Sequence, residues 1–337
     1  MRIALVGLGG AGQRGHLPAV QDLTAAGEAQ LVGLADANMQ RIPVLTRRSY
    51  GVPTYDAVSA MLEETLPDLL VVATPPTTHL PLIEAAVEQG VDVLCEKPVV
   101  PNHTHLDRLC KLGERYSHKV IATVGQYKHS RGWAKFRGAI EVAEAAGAGY
   151  DLHVRVERPG TDLHAASTWR DNAVEGGAVG DHASHYIGLV HEVSPKLRLL
   201  DSYRSLDPYG RESASVLLTA GTGVMRVDVD YGAEKRETSM HFSCKATATT
   251  VGWIGGVLTI RSPEGTTDEP AEALHYRSTV DELYKPFYRE FVTRLRQPLW
   301  RAHMTATTLA VGRLVTEATN DADQQAIGGT RSGGNRG

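Results

Sequence analysis

Short apolar runs alternate with helix-spaced segments along the first third of the chain, and the pattern changes near Tyr150. Arg2 to Val6 reads as a strand that ends in glycines. His16 to Ala26 is a helix candidate, with Pro18 tolerated only in its first turn. Gln30 to Ala35 and Asp68 to Ala73 are further strands; Thr74-Pro75-Pro76 stops the second, and Leu80 to Gln89 resumes helical spacing. Val91 to Cys95 and Val120 to Val124 follow, separated by a helix from about His105 to Tyr116. Strands buried on both faces read as continuous apolar runs, and strand–helix alternation marks a parallel sheet flanked by helices.

Beyond Tyr150 the strands alternate instead, as in Leu152 to Glu157 and Val224 to Tyr231. Period-two alternation predicts a largely antiparallel sheet with one covered face. Helices are expected near Gly180 to Val190, Val280 to Arg296 and Met304 to Thr319. The last ten residues hold five glycines and read as a mobile tail.

The length of 337 residues suits about two domains of roughly 100–200 residues each. With 42% hydrophobic and 22% charged residues the chain is not disordered, and no run approaches the ~18–20 apolar residues of a membrane-spanning helix. Thirty-five Lys and Arg stand against 39 Asp and Glu without a long block of either sign, so nothing points to a nucleic acid or an anionic membrane. Cys95, Cys110 and Cys244 form neither a disulfide framework nor a zinc spacing, which fits a reducing compartment. The apolar run at the N-terminus dissolves into glycines too early for a signal peptide, so a cytoplasmic location is expected.

Gly7-Leu8-Gly9-Gly10-Ala11-Gly12 fits G-x-G-x-x-G between a strand and a helix. The first glycine permits a tight turn, the second lets backbone amides approach a pyrophosphate, and the third lets helix and strand pack closely. Asp36 closes the next strand 24 residues after Gly12, where a carboxylate accepts hydrogen bonds from ribose hydroxyls and repels a 2′-phosphate. NAD is therefore the expected cofactor, with NADP possible because Arg41 lies five residues on. A glycine turn without a nucleotide is the plainer alternative.

These residues, together with Thr74-Pro75-Pro76-x-x-His79 and Glu96-Lys97-Pro98, resemble the Gfo/Idh/MocA oxidoreductases, relatives of glucose–fructose oxidoreductase and inositol 2-dehydrogenase. Trp169-Arg170, Gly176-Gly177, Asp181-x-x-x-His185 and Tyr288-Arg-Glu-Phe-Val are similar to later family segments, so the resemblance covers about residues 2 to 320. It implies an α/β chain: an N-terminal Rossmann dinucleotide-binding domain (1–123), then a C-terminal α+β domain for substrate and oligomerisation (124–320), with a large, mostly antiparallel open sheet. A flexible Gly-rich tail (321–337) completes the expected layout. It also implies a homodimer or homotetramer and a cis Lys97–Pro98 bond. Two positions depart from the family: Gly188 stands where an acid is usual, and Gln126-Tyr127-Lys128-His129 replaces a more basic stretch.

Oxidising a secondary alcohol needs a base for the hydroxyl proton while hydride leaves carbon, and histidine titrates nearest neutrality. Asp181 and His185 are four apart on an expected helix, so an aspartate can fix the imidazole; a surface ion pair is the bland reading of that spacing. Lys97 follows a strand at the carboxyl edge of the sheet, where its ammonium can stabilise a developing alkoxide or relay the proton; an exposed lysine paired with Glu96 is the alternative. The expected catalytic set is Lys97, Asp181 and His185. Gly7, Gly9, Gly10, Ala11, Gly12, Asp36, Thr74, Pro75, His79, Glu96 and Arg170 are the cofactor candidates. Lys97, Tyr127, Lys128, Trp169 and His185 are the substrate candidates, with His129 beside them. No metal is expected, because helical spacing sets His182 off the face shared by Asp181 and His185 and no third ligand follows.

The expected activity is hydride transfer between the nicotinamide and a secondary hydroxyl or ketone of a sugar, sugar derivative or cyclitol. A reductase of another carbonyl or an imine, and a noncatalytic NAD(H)-binding sensor, are the alternatives.

Overall fold

The computed structural model describes residues 1–38, 51–160, 173–272 and 280–331. It forms two compact units, the first from Met1–Val100, Thr104–Gln126 and Tyr276–Leu309, the second from Pro101–His103, Tyr127–His275 and Ala310–Gly337.

The first unit holds a parallel sheet of six strands: β1 (Arg2–Val6), β2 (Gln30–Ala35), β3 (Thr54–Tyr55), β4 (Leu69–Val72), β5 (Asp92–Cys95) and β6 (Ile121–Thr123). Their spatial order is β3-β2-β1-β4-β5-β6, the doubly wound order whose reversal beside β1 opens a crevice at the carboxyl ends of the strands. Alternate residues of β1 serve opposite faces. Ile3 and Leu5 pack with Leu17, Val20, Phe287 and Phe291, while Ala4 and Val6 pack with Met61, Ile83 and Leu109. That double burial is why these strands are apolar throughout. The expected helix from His16 is a π-turn over Gly12–His16 that runs into an α-helix over Leu17–Ala25, with Pro18 in its first turn.

The second unit holds an eight-stranded sheet: β7 (Asp151–Pro159), β8 (Arg198–Leu206), β9 (Glu212–Ala220), β10 (Gly223–Ala233), β11 (Glu237–Cys244), β12 (Thr249–Ile254), β13 (Val257–Ser262) and β14 (Gly265–Pro270). The order is β14-β13-β12-β11-β7-β10-β9-β8. The pairings are antiparallel except β7 with β10, which run parallel with Val227 opposite Val154. One face carries Leu152, Val154, Met225, Val227 and Phe242 against the helices Arg131–Ala145 and Ser184–Val193. The other face keeps the alternating polar residues.

Tyr276–Leu309 groups with the first unit by its contacts. The last helix spans Pro298–Arg331. Among the described residues no helix is long and apolar enough to cross a membrane.

Candidate active site

The glycine turn closes between β1 and the π-turn. Gly7 has φ +91°, and a Cβ there would lie 2.4 Å from the Ala73 carbonyl oxygen; a Cβ on Gly12 would lie 1.9 Å from that of Gly7. A Cβ on Gly9 would meet nothing within 4 Å, so the backbone of the turn is open on that side. Gly10 and Ala11 are half-buried beside it. Open backbone after a strand and before a helix fits a pyrophosphate.

Asp36 is buried at the end of β2 and reaches back to the same turn. Its Oδ2 accepts the Leu8 N–H at 2.7 Å and its Oδ1 the Asn38 N–H at 2.8 Å. The carboxylate thus sets the loop before it meets any ligand, and each oxygen keeps a further lone pair for a ribose hydroxyl.

Thr74 and Pro75 are half-buried after β4, whereas His79 is fully buried. Its Nδ1 lies 3.0 Å from the Pro98 carbonyl oxygen and its Nε2 2.9 Å from that of Thr74. Burial holds its pKa below the ordinary value, against the opposing pull of those carbonyls and of Glu96. His79 therefore acts on backbone carbonyls from inside the fold.

Glu96 also turns inward. It is 7% exposed; its Oε1 lies 2.9 Å from His16 Nε2 and 3.5 Å from the Tyr284 hydroxyl, and its Oε2 accepts the Lys97 N–H at 3.2 Å. The Tyr288 hydroxyl lies 2.7 Å from His16 Nδ1. Burial, then the neighbouring Glu96 charge, pushes the Tyr288 pKa well above its usual value. Lys97 is half-buried at the carboxyl end of β5, and Lys97–Pro98 is a cis peptide.

The second unit carries the other candidates. Gly176 and Gly177 have φ +96° and +56°, and a Cβ on Gly177 would stand 2.7 Å from Glu212 Oε1. That buried carboxylate accepts the Ala178 N–H at 3.0 Å and pairs with Arg204 Nε at 3.0 Å. It fixes the entry to a π-turn over Val179–Ala183, which leads into the helix Ser184–Val193. Asp181 is buried in this π-turn; its Oδ2 accepts the Tyr231 hydroxyl at 3.0 Å and lies 3.4 Å from His182 Nε2. The wider turn thus brings His182, set aside by α-helical spacing, against Asp181. His185 is half-buried with the Tyr127 ring at 4.7 Å between centroids, and Tyr127 also stacks on Tyr186 at 6.3 Å. Lys128 and His129 are half-buried beside Tyr127. Trp169, Arg170 and Arg41 lie outside the described residues. Among the described residues no group of three His, Cys, Asp or Glu is placed to hold a metal ion.

The spacing of motifs misses His16, Tyr284, Tyr288, Tyr231, His182 and Glu212. Tyr288 and Tyr231 stand in segments that the sequence does single out, but a hydroxyl aimed at a residue 50 or 272 positions away leaves no local signal.

Residues 1–125 match the model of an oxidoreductase family with an NAD-binding Rossmann fold. An inositol 2-dehydrogenase of Saccharopolyspora erythraea is 36% identical over 97 residues, 29% of each chain. A UDP-N-acetylglucosamine 3-dehydrogenase of Acidithiobacillus ferrooxidans is 27% identical over 160 residues, 47% of this chain and 45% of that one. The chain thus matches less than half the length of these curated relatives. The fold is shared almost end to end with the WlbA dehydrogenase of Bordetella pertussis, crystallised with NADH and UDP-GlcNAcA: TM-score 0.76, 19% identity, 96% of both chains.

Proposed function

We propose that this chain, whose residues 1–125 match the Gfo/Idh/MocA oxidoreductase family, is an NAD-dependent oxidoreductase acting on a secondary hydroxyl, or the matching ketone, of a sugar, sugar derivative or cyclitol. One observation carries the reading: the open glycine turn after β1 and Lys97 after β5 stand at the carboxyl edge of the same sheet, with β4 between their strands. That is the edge at which such sheets take ligands. The inositol and UDP-N-acetylglucosamine dehydrogenases among its relatives support the substrate class.

Bound NAD supplies the acceptor for the hydride. The turn Gly7–Gly12 receives the pyrophosphate and Asp36 the ribose, with its charge favouring NAD over NADP. His185 takes the hydroxyl proton in oxidation and returns it in reduction, and Asp181 stabilises the protonated ring. Lys97 donates to the reacting oxygen and offsets its negative charge. Tyr127, already packed on His185, offers a flat apolar face to the substrate ring.

The test is NADH formation from NAD⁺ over inositols, free sugars, sugar phosphates and nucleotide sugars. His185→Ala and Lys97→Ala should each lower kcat/KM by about 10²–10⁴-fold. Full turnover in both variants would remove the assignment, and no oxidation across the panel despite tight NADH binding would favour a carbonyl or imine reductase.

We further infer that the polar face of the eight-stranded sheet pairs with a second copy, as a homodimer or homotetramer. Tyr203, Val224, Ile254 and Val257 remain exposed there, and most soluble oligomers are closed, symmetric assemblies of one chain. A light-scattering mass of 36.4 kDa, that of one chain, would count against it. Cys95, Cys110 and Cys244 are not joined in disulfides, which supports a cytoplasmic location.

A further inference from the structure

Lys97 is one residue in a turn whose two neighbours are each gripped by a fully buried histidine from a different part of the sheet. Glu96 is held by His16, which follows β1, and the Pro98 carbonyl faces His79, which follows β4. The Lys97 N–H is itself held by Glu96 Oε2, and the Glu96 N–H donates to the Val72 carbonyl at 2.8 Å.

We propose that His16 and His79 are positioning residues for Lys97, two clamps that fix the Glu96-Lys97-Pro98 turn relative to the glycine turn. This rests on the function proposed above for Lys97, but the geometry stands without it.

The chemistry of each clamp follows from its partners. With Glu96 ionised, one tautomer of the His16 ring can donate from Nε2 to Oε1 while the Tyr288 hydroxyl donates to Nδ1, an arrangement that gives both ring nitrogens a partner. The rings of Tyr284 and Tyr288 meet His16 edge-on, at 5.3 and 5.9 Å between centroids, and leave it one orientation. His79 differs, because both its neighbours are carbonyl oxygens. Its neutral ring donates to one of them at a time and its protonated ring to both. His16 therefore ties Lys97 to the helix that follows the glycine turn, and His79 ties it to the end of β4. A shift of either anchor carries the lysine with it.

Competitive trace acetylation with acetic anhydride reads this directly and needs no substrate. The rate at Lys97 is measured by mass spectrometry against the exposed Lys111 and Lys245 of the same molecule. In His16→Ala and His79→Ala the turn loosens, and labelling of Lys97 should rise about threefold or more while the reference lysines stay constant. Tyr288→Phe, which deletes one hydroxyl, should give a smaller rise. His16→Gln, whose amide can still donate to Glu96, should bring Lys97 back toward the wild-type rate. These two mild variants decide the matter if the alanine variants do not fold.

An unchanged Lys97 rate in folded variants would overturn the proposal, as would an equal rise at all lysines, which means general loosening. A selective rise at Lys97 together with full turnover in Lys97→Ala would leave the clamps standing and remove the catalytic assignment.

Discussion

Burial and protonation pull against each other at His79. The ring is fully buried, and burial holds its pKa below 6.5, so the native state prefers it neutral. An unfolded chain takes up that proton near pH 6.5, so the stabilisation is complete above this value and is lost as pH falls through it toward the native pKa. The slope is at most about 1.4 kcal/mol per pH unit for one group. Urea unfolding at about pH 7.5 and about pH 5.5 should show this loss in the wild type, with a smaller loss in His79→Gln; equal losses would assign the acid sensitivity elsewhere. Asp36 supports a second prediction at this scale, because on the proposed reading its charge disfavours a 2′-phosphate on the adenosine ribose. Asp36→Asn keeps an acceptor for the Leu8 N–H and removes the charge. NADPH should then gain about tenfold on NADH in affinity, one step of 1.4 kcal/mol, as read by fluorescence titration. Tyr231→Phe should cost about 1 kcal/mol for the lost hydrogen bond to Asp181.

Two elements show how a local signal misleads. The helix Arg131–Ala145 buries Trp133, Phe136, Ile140 and Ala143 at helical spacing, yet the sequence reading assigns no element there. Gly132 has a tertiary reason: a Cβ there would stand 2.5 Å from ring atoms of Trp253 on β12. Gly132→Ala gains at most about 1 kcal/mol of helix propensity and costs about 1–3 kcal/mol in overpacking, so the variant should be less stable on urea unfolding. The π-turn over Val179–Ala183 is the other case. Its entry depends on Glu212, 3% exposed as a side chain, holding both Ala178 and Arg204. Glu212→Ala leaves Arg204 without this partner and should cost about 3 kcal/mol, and it should lower turnover more than a distant substitution of equal cost.

At the scale of the whole molecule the chain returns to its first unit after the eight strands of the second sheet. Tyr284, Phe287, Tyr288 and Phe291 complete a core begun by Leu17, Val20 and Leu23, more than 250 positions earlier in sequence. A separate core lies in the second unit. Binding to the native state stabilises the unit that holds the ligand, by about 2.7 kcal/mol at a hundred times Kd. With NADH at that level, amide exchange in β1, β4 and β5 should slow by up to about a hundredfold, and β12 to β14 should respond less. Equal slowing in both units would show that the chain unfolds as one cooperative body.

The sequence by itself determined five of the six strands of the first unit, the glycine turn, Asp36 and the Lys97 turn, while β3 and the helix Val58–Thr65 carry no such local signal. The features it determined are written in contiguous residues, where apolar runs and small-residue spacing reflect burial and backbone geometry directly. Tertiary structure alone decided what those residues touch. Folding turns Glu96 onto His16 and Tyr284, and His79 onto two backbone carbonyls. His182 moves against Asp181 because a π-turn is wider than the α-helix that spacing assumes. A hydrogen bond between residues far apart in the chain depends on where the sheet carries them, and no local pattern encodes that.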